Sequence, residues 1–421
     1  MMSMFERLFG DKFSRFRLGQ IIFAAAVSFG LFAGDIIRIV LGVLALLFLT
    51  KENFKFNWTR GQKITGCILA LFCAWMIIVP VIFGENPFAV RLRDAVRPVE
   101  LTLWICATLL FAKDEFFVRN LKNFSITACF IYSLIALAYC FKTKFECNCG
   151  YIDWPIVHSG YIFGCLMSGF SVWYVYVLLT ERNLPKHVFS FAMILITLVF
   201  TMFAGVTTYR LAFAAEIAAV FILLLISDRK KFVKIFVIFA AALLCSAFAI
   251  FAAARYSPSL QAMLNREINQ LRNESGKGFD IEHVSNHRYH IWVDAVKAIK
   301  QKPVFGYGRE VFKNHCSTQH GHAHNTFLHA AFEAGIPAAL MAYTIWLTIL
   351  AFAVLQICKT RPLPCIPFVT TVIMAGLLAS SLVENEYLTD RTSLVFYWSI
   401  FMTMLNTHCP TRETSNSKQN C

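Results

Sequence analysis

Charge is what this sequence has least of. Lys, Arg, Asp and Glu make up 15% of its 421 residues against 57% hydrophobic, which excludes an ordinary soluble enzyme. No cleavable secretory leader is evident, so the first apolar run is expected to stay as a helix. No internal repeat of the kind found in many transporters is visible. The chain has 14 Cys and 11 His, yet their spacing matches no standard zinc site. Acidic residues are also short, 25 against 39 basic, for a formal charge of +14. So basic a balance raises nucleic acid as a partner. The basic residues, however, sit in short segments between apolar runs, as topology determinants do, and no nucleic acid is expected.

What is present is apolar length. Runs of about 17–25 residues recur from end to end, each able to cross a ~30 Å hydrocarbon layer. Two short runs near 18–33 and 36–49, joined by a tight turn at Gly34-Asp35, come first, and further candidate spans fall near 64–83, 95–112, 123–141, 157–179, 188–206, 209–226, 232–254, 337–357, 365–383 and 392–407. The expected fold class is an all-α polytopic membrane protein of about twelve transmembrane helices, with one large helical loop between spans nine and ten. Residues 1–254 form the first membrane unit. The loop is 255–325, and 326–421 holds a short interfacial helix, the last three spans and a polar tail. Lys and Arg in the segments on the N-terminal side outnumber those in the opposite short loops by more than two to one. Both termini are therefore expected in the cytoplasm and the long loop outside, which in a bacterium is the periplasm.

The long loop has its own pattern. Ser257-Pro258 is a helix start, followed by Leu260, Met263, Leu264, Ile268 and Leu271 at helical spacing. A second helix is expected from about Ser285 or Asn286, with Arg288 in its first turn and Ile291, Trp292, Ala295, Val296 and Ile299 as its apolar stripe. Pro303 and Gly306-Tyr307-Gly308 end it. Two amphipathic helices on a membrane surface suit a lipid substrate, or form a cap without chemistry of its own. Beyond it, apolar character runs from Thr326 to Ile357, about 48 Å as one helix and too long for a single crossing. Gly335 and Pro337 predict a break, which puts the preceding histidines at the outer interface.

Those histidines, His315, His320, His322, His324 and His329, crowd into fifteen residues. No metal is expected on them, and most read equally well as solvated loop residues. His324 stands apart because it abuts a helix start and Asn325, a capping residue. A neutral imidazole fixed there can take a proton from a sugar hydroxyl. Arg210, at the outer start of a span, and Arg288 suit a pyrophosphate, since guanidinium groups bind phosphate through paired donors. Snorkelling to lipid headgroups is the plainer role for an isolated interfacial Arg. Arg91, Arg93 and Arg97 form a further outer cluster, in which Glu100 can pair with Arg97. Glu384, Glu386 and Asp390 in the last outer loop either orient the base or contact sugar hydroxyls, or simply keep a turn wet. Glu216 lies inside a span, where an ionisable group suggests function, with no partner evident. Glu333, four residues past His329, makes a helical pair of structural character. Cys147, Cys149 and Cys316 fall in outer loops, where Cys316 can form a disulfide with one of the other two.

His324-Asn325-Thr326-Phe327-Leu328 followed by Glu333-Ala334-Gly335 resembles the signature of the O-antigen ligase family. Arg288-Tyr289-His290-Ile291-Trp292 leading to Lys302-Pro303-Val304-Phe305-Gly306-Tyr307-Gly308 is similar to the family's Arg-Trp helix and Pro-Gly-Tyr-Gly turn. Thr207-Thr208-Tyr209-Arg210 resembles its Thr-x-x-Arg start of a span. Val206 and Tyr209 stand where many members have Ser. The resemblance implies a multi-pass protein of the bacterial inner membrane with its active site at the periplasmic face. It implies a metal-independent, cofactor-free, inverting glycosyltransferase that moves O-antigen from undecaprenyl pyrophosphate to lipid A-core. On this chain His324 would be the base, and Arg210 and Arg288 would hold the pyrophosphate. O-antigen polymerases and protein O-oligosaccharyltransferases share the architecture; a lipid-linked glycan transporter is the alternative without chemistry.

Overall fold

The structure, a computed structural model, describes residues 15–33, 35–49, 54–56, 58–143, 160–203, 207–258, 288–316, 321–360, 363–383 and 391–406, with scattered positions between 261 and 269. Among the described residues every regular element is a helix. In chain order these are α1 (Arg15–Ala33), α2 (Asp35–Leu46), α3 (Arg60–Phe83), α4 (Phe88–Asp94), α5 (Val96–Phe111), α6 (Glu115–Lys142), α7 (Gly160–Thr180) and α8 (Leu184–Phe203). There follow α9 (Thr207–Ser227), α10 (Arg229–Ala254), α11 (Tyr289–Gln301), α12 (Phe312–His315), α13 (Thr326–Ala334), α14 (Ile336–Lys359), α15 (Cys365–Ser381) and α16 (Arg391–Asn406).

Each expected apolar run falls on a helix, but the lengths differ from twelve equal crossings. Among the described residues five helices are long and apolar enough to span a membrane: α3, α6, α9 from Arg210 onward, α10 and α14. Further apolar stretches of the described residues lie within α1, α2, α7, α8, α15 and α16, and α7 and α8 as whole helices run to 21 and 20 residues. Helix α2, with 12 residues, reaches about 18 Å at the usual rise, well short of the hydrocarbon layer. Helix α5, with 16 residues, carries Arg97 and Glu100 in its first turns. Side-chain caps set several starts. Thr59 accepts from the Gln62 amide at 3.3 Å while Gln62 Oε1 accepts from the Thr59 amide at 2.9 Å, a capping box that begins α3. Asp114 and Asp228 do the same work for α6 and α10. Outward-facing Leu71, Ile78, Leu244 and Phe248 give α3 and α10 an apolar surface suited to lipid chains.

Helix α15 is the buried centre, packed by α9, α14, α7 and α16. Its direction relative to its neighbours follows from three contacts. The Tyr176 hydroxyl of α7 donates to the Leu363 carbonyl at 3.2 Å, so the end of α7 meets the start of α15. Lys234, early in α10, donates to the Leu178 carbonyl at 3.4 Å, which brings the α9–α10 junction to that same end. At the other end Tyr343, near the start of α14, hydrogen-bonds Ser381 at 2.9 Å. Helices α7 and α9 therefore run antiparallel to α15, and Arg210 starts α9 at the end where α15 finishes. Between the two ends Glu216 of α9 is buried, accepts from the Ser168 hydroxyl and lies against Gly376 of α15. Ser168 is the partner that local sequence could not name.

Helices α1 and α2 fold back on each other so closely that a Cβ on Gly30 would lie 2.7 Å from Arg38 Cβ. Arg38 is completely buried and donates from Nη2 to Glu100 Oε1 at 2.7 Å. This corrects the expected Arg97–Glu100 pair: Arg97 turns the other way, 4.0 Å from Glu310.

The break at Gly335 is where expected. Helix α13 stops at Ala334, and α14 starts at Ile336 with Pro337 in its first turn. Gly335 has φ 86°, and a Cβ there would sit 1.8 Å from the Val304 carbonyl oxygen. Gly335→Ala should therefore lower the melting temperature in detergent well beyond the ~1–2 kcal/mol of the left-handed backbone alone. The control is Gly321→Ala, whose added carbon meets nothing among the described residues closer than Lys313 Cε at 3.6 Å and should melt as wild type.

Candidate functional site

The short helix α13 is held at both ends by side chains and turns from elsewhere. At its start Asn325 Oδ1 accepts from the Leu328 amide at 2.9 Å, the capping role its sequence position suggested. The same side chain donates from Nδ2 to the Leu382 carbonyl at 3.1 Å, just past the end of α15. At its finish the last carbonyls, left open in any helix, are taken by other segments. Tyr307 and Gly308 donate their amides to Phe332 O and Glu333 O, both at 2.9 Å, and Trp75 Nε1 donates to Ala334 O at 2.8 Å. Positive φ at Gly306 and Gly308 (68° and 91°) turns those amides inward, so the Gly-Tyr-Gly element serves as a clamp on α13 as well as the stop after α11.

His324 immediately precedes the cap. It is 8% exposed and holds a left-handed backbone with φ 47°, a state that costs a non-glycine residue about 1–3 kcal/mol and collects at functional sites. Its neighbours maintain that conformation. Trp292 Nε1 of α11 donates to Ala323 O at 3.0 Å, and the His324 amide donates to His322 Nδ1 at 3.4 Å. Accepting at Nδ1 places the proton of a neutral His322 on Nε2. The His322 and His324 rings meet edge to face with centroids 4.1 Å apart.

Arg288 directly precedes α11, which starts later than the expected Ser285 or Asn286, two residues outside the described set. Its Nη1 donates to the Val383 carbonyl. Arg288 and Asn325 thus grip consecutive carbonyls, 383 and 382, at the finish of α15, which brings Arg288 beside the His324 loop. Arg210 is half-buried at the same end of the bundle, at the start of α9. Glu384, Glu386, Asp390 and His320 lie outside the described residues, as do Cys147 and Cys149. Cys316 is a buried free thiol, pushed up to about 11 by burial and then by the nearby Asp294 carboxylate.

A set of residues beyond those expected closes the site. His329 Nε2 lies 3.2 Å from Glu333 Oε1, the helical pair foreseen in the sequence, but the pair continues to Arg309, whose Nε is 3.9 Å from Glu333 Oε2. All three side chains are buried. Burial alone would raise the Glu333 carboxyl, but the His329 contact, then Arg309 and Arg97, outweigh it and hold it below the usual range. Arg309 Nε and Nη1 and His329 Nδ1 have no hydrogen-bond partner among the described residues. Arg97, Arg309, His322, His329, Glu333 and Asp94 line a cavity of about 160 Å³ there. It offers donors and acceptors together, as sugar hydroxyls require. Behind it, Glu85 accepts from Lys302 and from His315 at 2.6 Å; against the opposing effect of partial burial, these two hold its carboxyl below the usual value. The one local signal for Arg309 was its place next to Gly308. Among the described residues no three His, Cys, Asp or Glu side chains are disposed to hold a metal ion.

Residues 192–343, from within α8 to within α14, match the family model described as O-antigen ligase. That stretch contains Arg210, Arg288, Arg309, His324 and Glu333. No curated protein matches the chain. Over this stretch, which carries the ligase-like motifs, the chain is similar to the O-antigen ligase family.

Proposed function

We propose that the protein is a glycosyltransferase that moves an O-antigen or related glycan from undecaprenyl pyrophosphate to a sugar hydroxyl of lipid A-core. The reaction takes place at the periplasmic face of a bacterial inner membrane, with both termini in the cytoplasm as the Lys and Arg bias indicates. The observation that carries this reading is the convergence of Arg288 and of Asn325, next to His324, on the Leu382 and Val383 carbonyls just past the end of α15. His324 takes the proton of the acceptor hydroxyl, whose oxygen attacks the anomeric carbon from the face opposite the pyrophosphate. The anomeric C–O bond breaks, its electron pair leaves with undecaprenyl pyrophosphate, and the new glycosidic bond is inverted. Arg288 and Arg210 stabilise the charge growing on the leaving phosphate, the kind of help that usually matters most. The activated leaving group requires no metal or soluble cofactor. The cavity of Arg97, Arg309, Glu333 and Asp94 receives hydroxyls of the acceptor sugar; on the sequence alone, Glu384 and Asp390 are proposed to orient the base or contact those hydroxyls.

Expression in a strain lacking its own ligase tests this directly. The chain should restore the long-chain lipopolysaccharide ladder on a gel and drain the pool of lipid-linked glycan. Bare core with that pool unchanged would overturn the proposal.

A further inference from the structure

The end of the bundle opposite the histidines holds a second cavity, of about 710 Å³, within the ~300–1,000 Å³ of small-molecule sites. It opens where α7 ends, α8 begins and α10 starts beside the α14–α15 connection. Arg182, Lys230, Lys231, Lys234 and His187 lie on its wall, with Glu181 as the one carboxylate there among the described residues.

Glu181 is already engaged from elsewhere. Lys186 lies 3.1 Å and Lys122 4.0 Å from its oxygens, and neither of these lysines lines the cavity. Of the lining cations, Lys231 is 3.9 Å from Asp228, and Lys234 donates to the Leu178 carbonyl. Arg182 and Lys230 form no ion pair among the described residues. The inner wall is apolar, formed by buried Leu178, Leu179 and Leu363 with half-buried Tyr176. Membrane orientation is served by basic residues anywhere on this face. It does not require them to ring a hollow whose base is leucine.

We infer that this cavity binds a phosphate-bearing ligand, the headgroup of an anionic phospholipid, with guanidinium and ammonium groups on the phosphate and the leucine wall against the first acyl carbons. Basic pockets between helices on a cytoplasmic face suit such headgroups. Neither His324 nor the arginines of the proposed transfer site takes part, so the site stands or falls independently of that reaction.

The test uses the purified full-length protein in mild detergent, with bound lipid counted by native mass spectrometry during titration with phosphatidylglycerol or phosphatidylcholine. Wild type should retain phosphatidylglycerol in preference to phosphatidylcholine. The double variant Arg182→Gln, Lys230→Gln should bind phosphatidylglycerol roughly thirtyfold more weakly, about fivefold for each charge removed, with unchanged melting and gel-filtration behaviour. Lys297→Gln with Lys300→Gln, on α11 at the other end, removes as much charge and should leave binding intact. Inorganic phosphate and pyrophosphate are added as competitors. Displacement of the lipid at millimolar concentration supports the phosphate site with a soluble occupant; resistance supports the lipid. Equal retention of both lipids, or wild-type binding by the double variant, would overturn the inference.

Discussion

His324→Ala should abolish the long-chain lipopolysaccharide ladder in a ligase-deficient strain, leaving bare core and a rising pool of lipid-linked glycan. Loss of a general base typically costs 10²–10⁴-fold in rate (about that range across enzymes), enough to empty the ladder in one growth cycle. The loop around this residue is also held by groups other than the imidazole. Trp292 binds the Ala323 carbonyl, and Asn325 caps α13 and reaches α15. The variant should therefore insert and melt close to wild type. His324→Gly separates chemistry from strain, because glycine adopts φ 47° freely. It should be at least as stable as the Ala variant and equally inactive. A full ladder from either variant would remove His324 from the reaction. In a strain that lacks only its own copy of this gene and keeps a separate ligase, a single repeat left on core without the ladder would mark a polymerase.

The second large effect lies in the buried chain His329–Glu333–Arg309. Glu333→Ala leaves a guanidinium buried without its carboxylate, a change that costs about 3–5 kcal/mol for buried pairs. A marked drop in detergent melting temperature should follow. Replacing both partners, Glu333→Leu with Arg309→Met, should recover most of that loss, because the uncompensated charge is then gone. Wild-type melting of Glu333→Ala would show that the pair supports nothing. The sign with pH is fixed as well. The Glu333 carboxyl is held below its ordinary value, so its contribution is full above the unfolded value. It disappears as pH falls through the lower folded value. Acid should thus narrow the gap between wild type and Glu333→Ala.

How legible this was depended on distance along the chain. The break at Gly335-Pro337 could be read because both residues carry their backbone preference with them. So could the Asn325 cap, whose bond to Leu328 spans three residues. The twelve apolar runs were visible as composition, and the run at 36–49 was already short; its helix is shorter still, because apolar character continues past Leu46 through Leu47, Phe48 and Leu49 after the helix has ended. Partners brought together by packing left little or no local trace. Arg309 meets Glu333 only because the Gly-Tyr-Gly turn folds back on α13, and Ser168 meets Glu216 only because α7 and α9 share a face. The pairing of Glu100 went to Arg38, 62 residues earlier, instead of Arg97 one turn away.

That last pair has a consequence for how the protein is made. Arg38 is wholly buried in the finished fold, where a charge needs compensation, and Glu100, 62 residues later, supplies an opposite one. The opening hairpin should therefore reach its full stability only once α5 has packed against it.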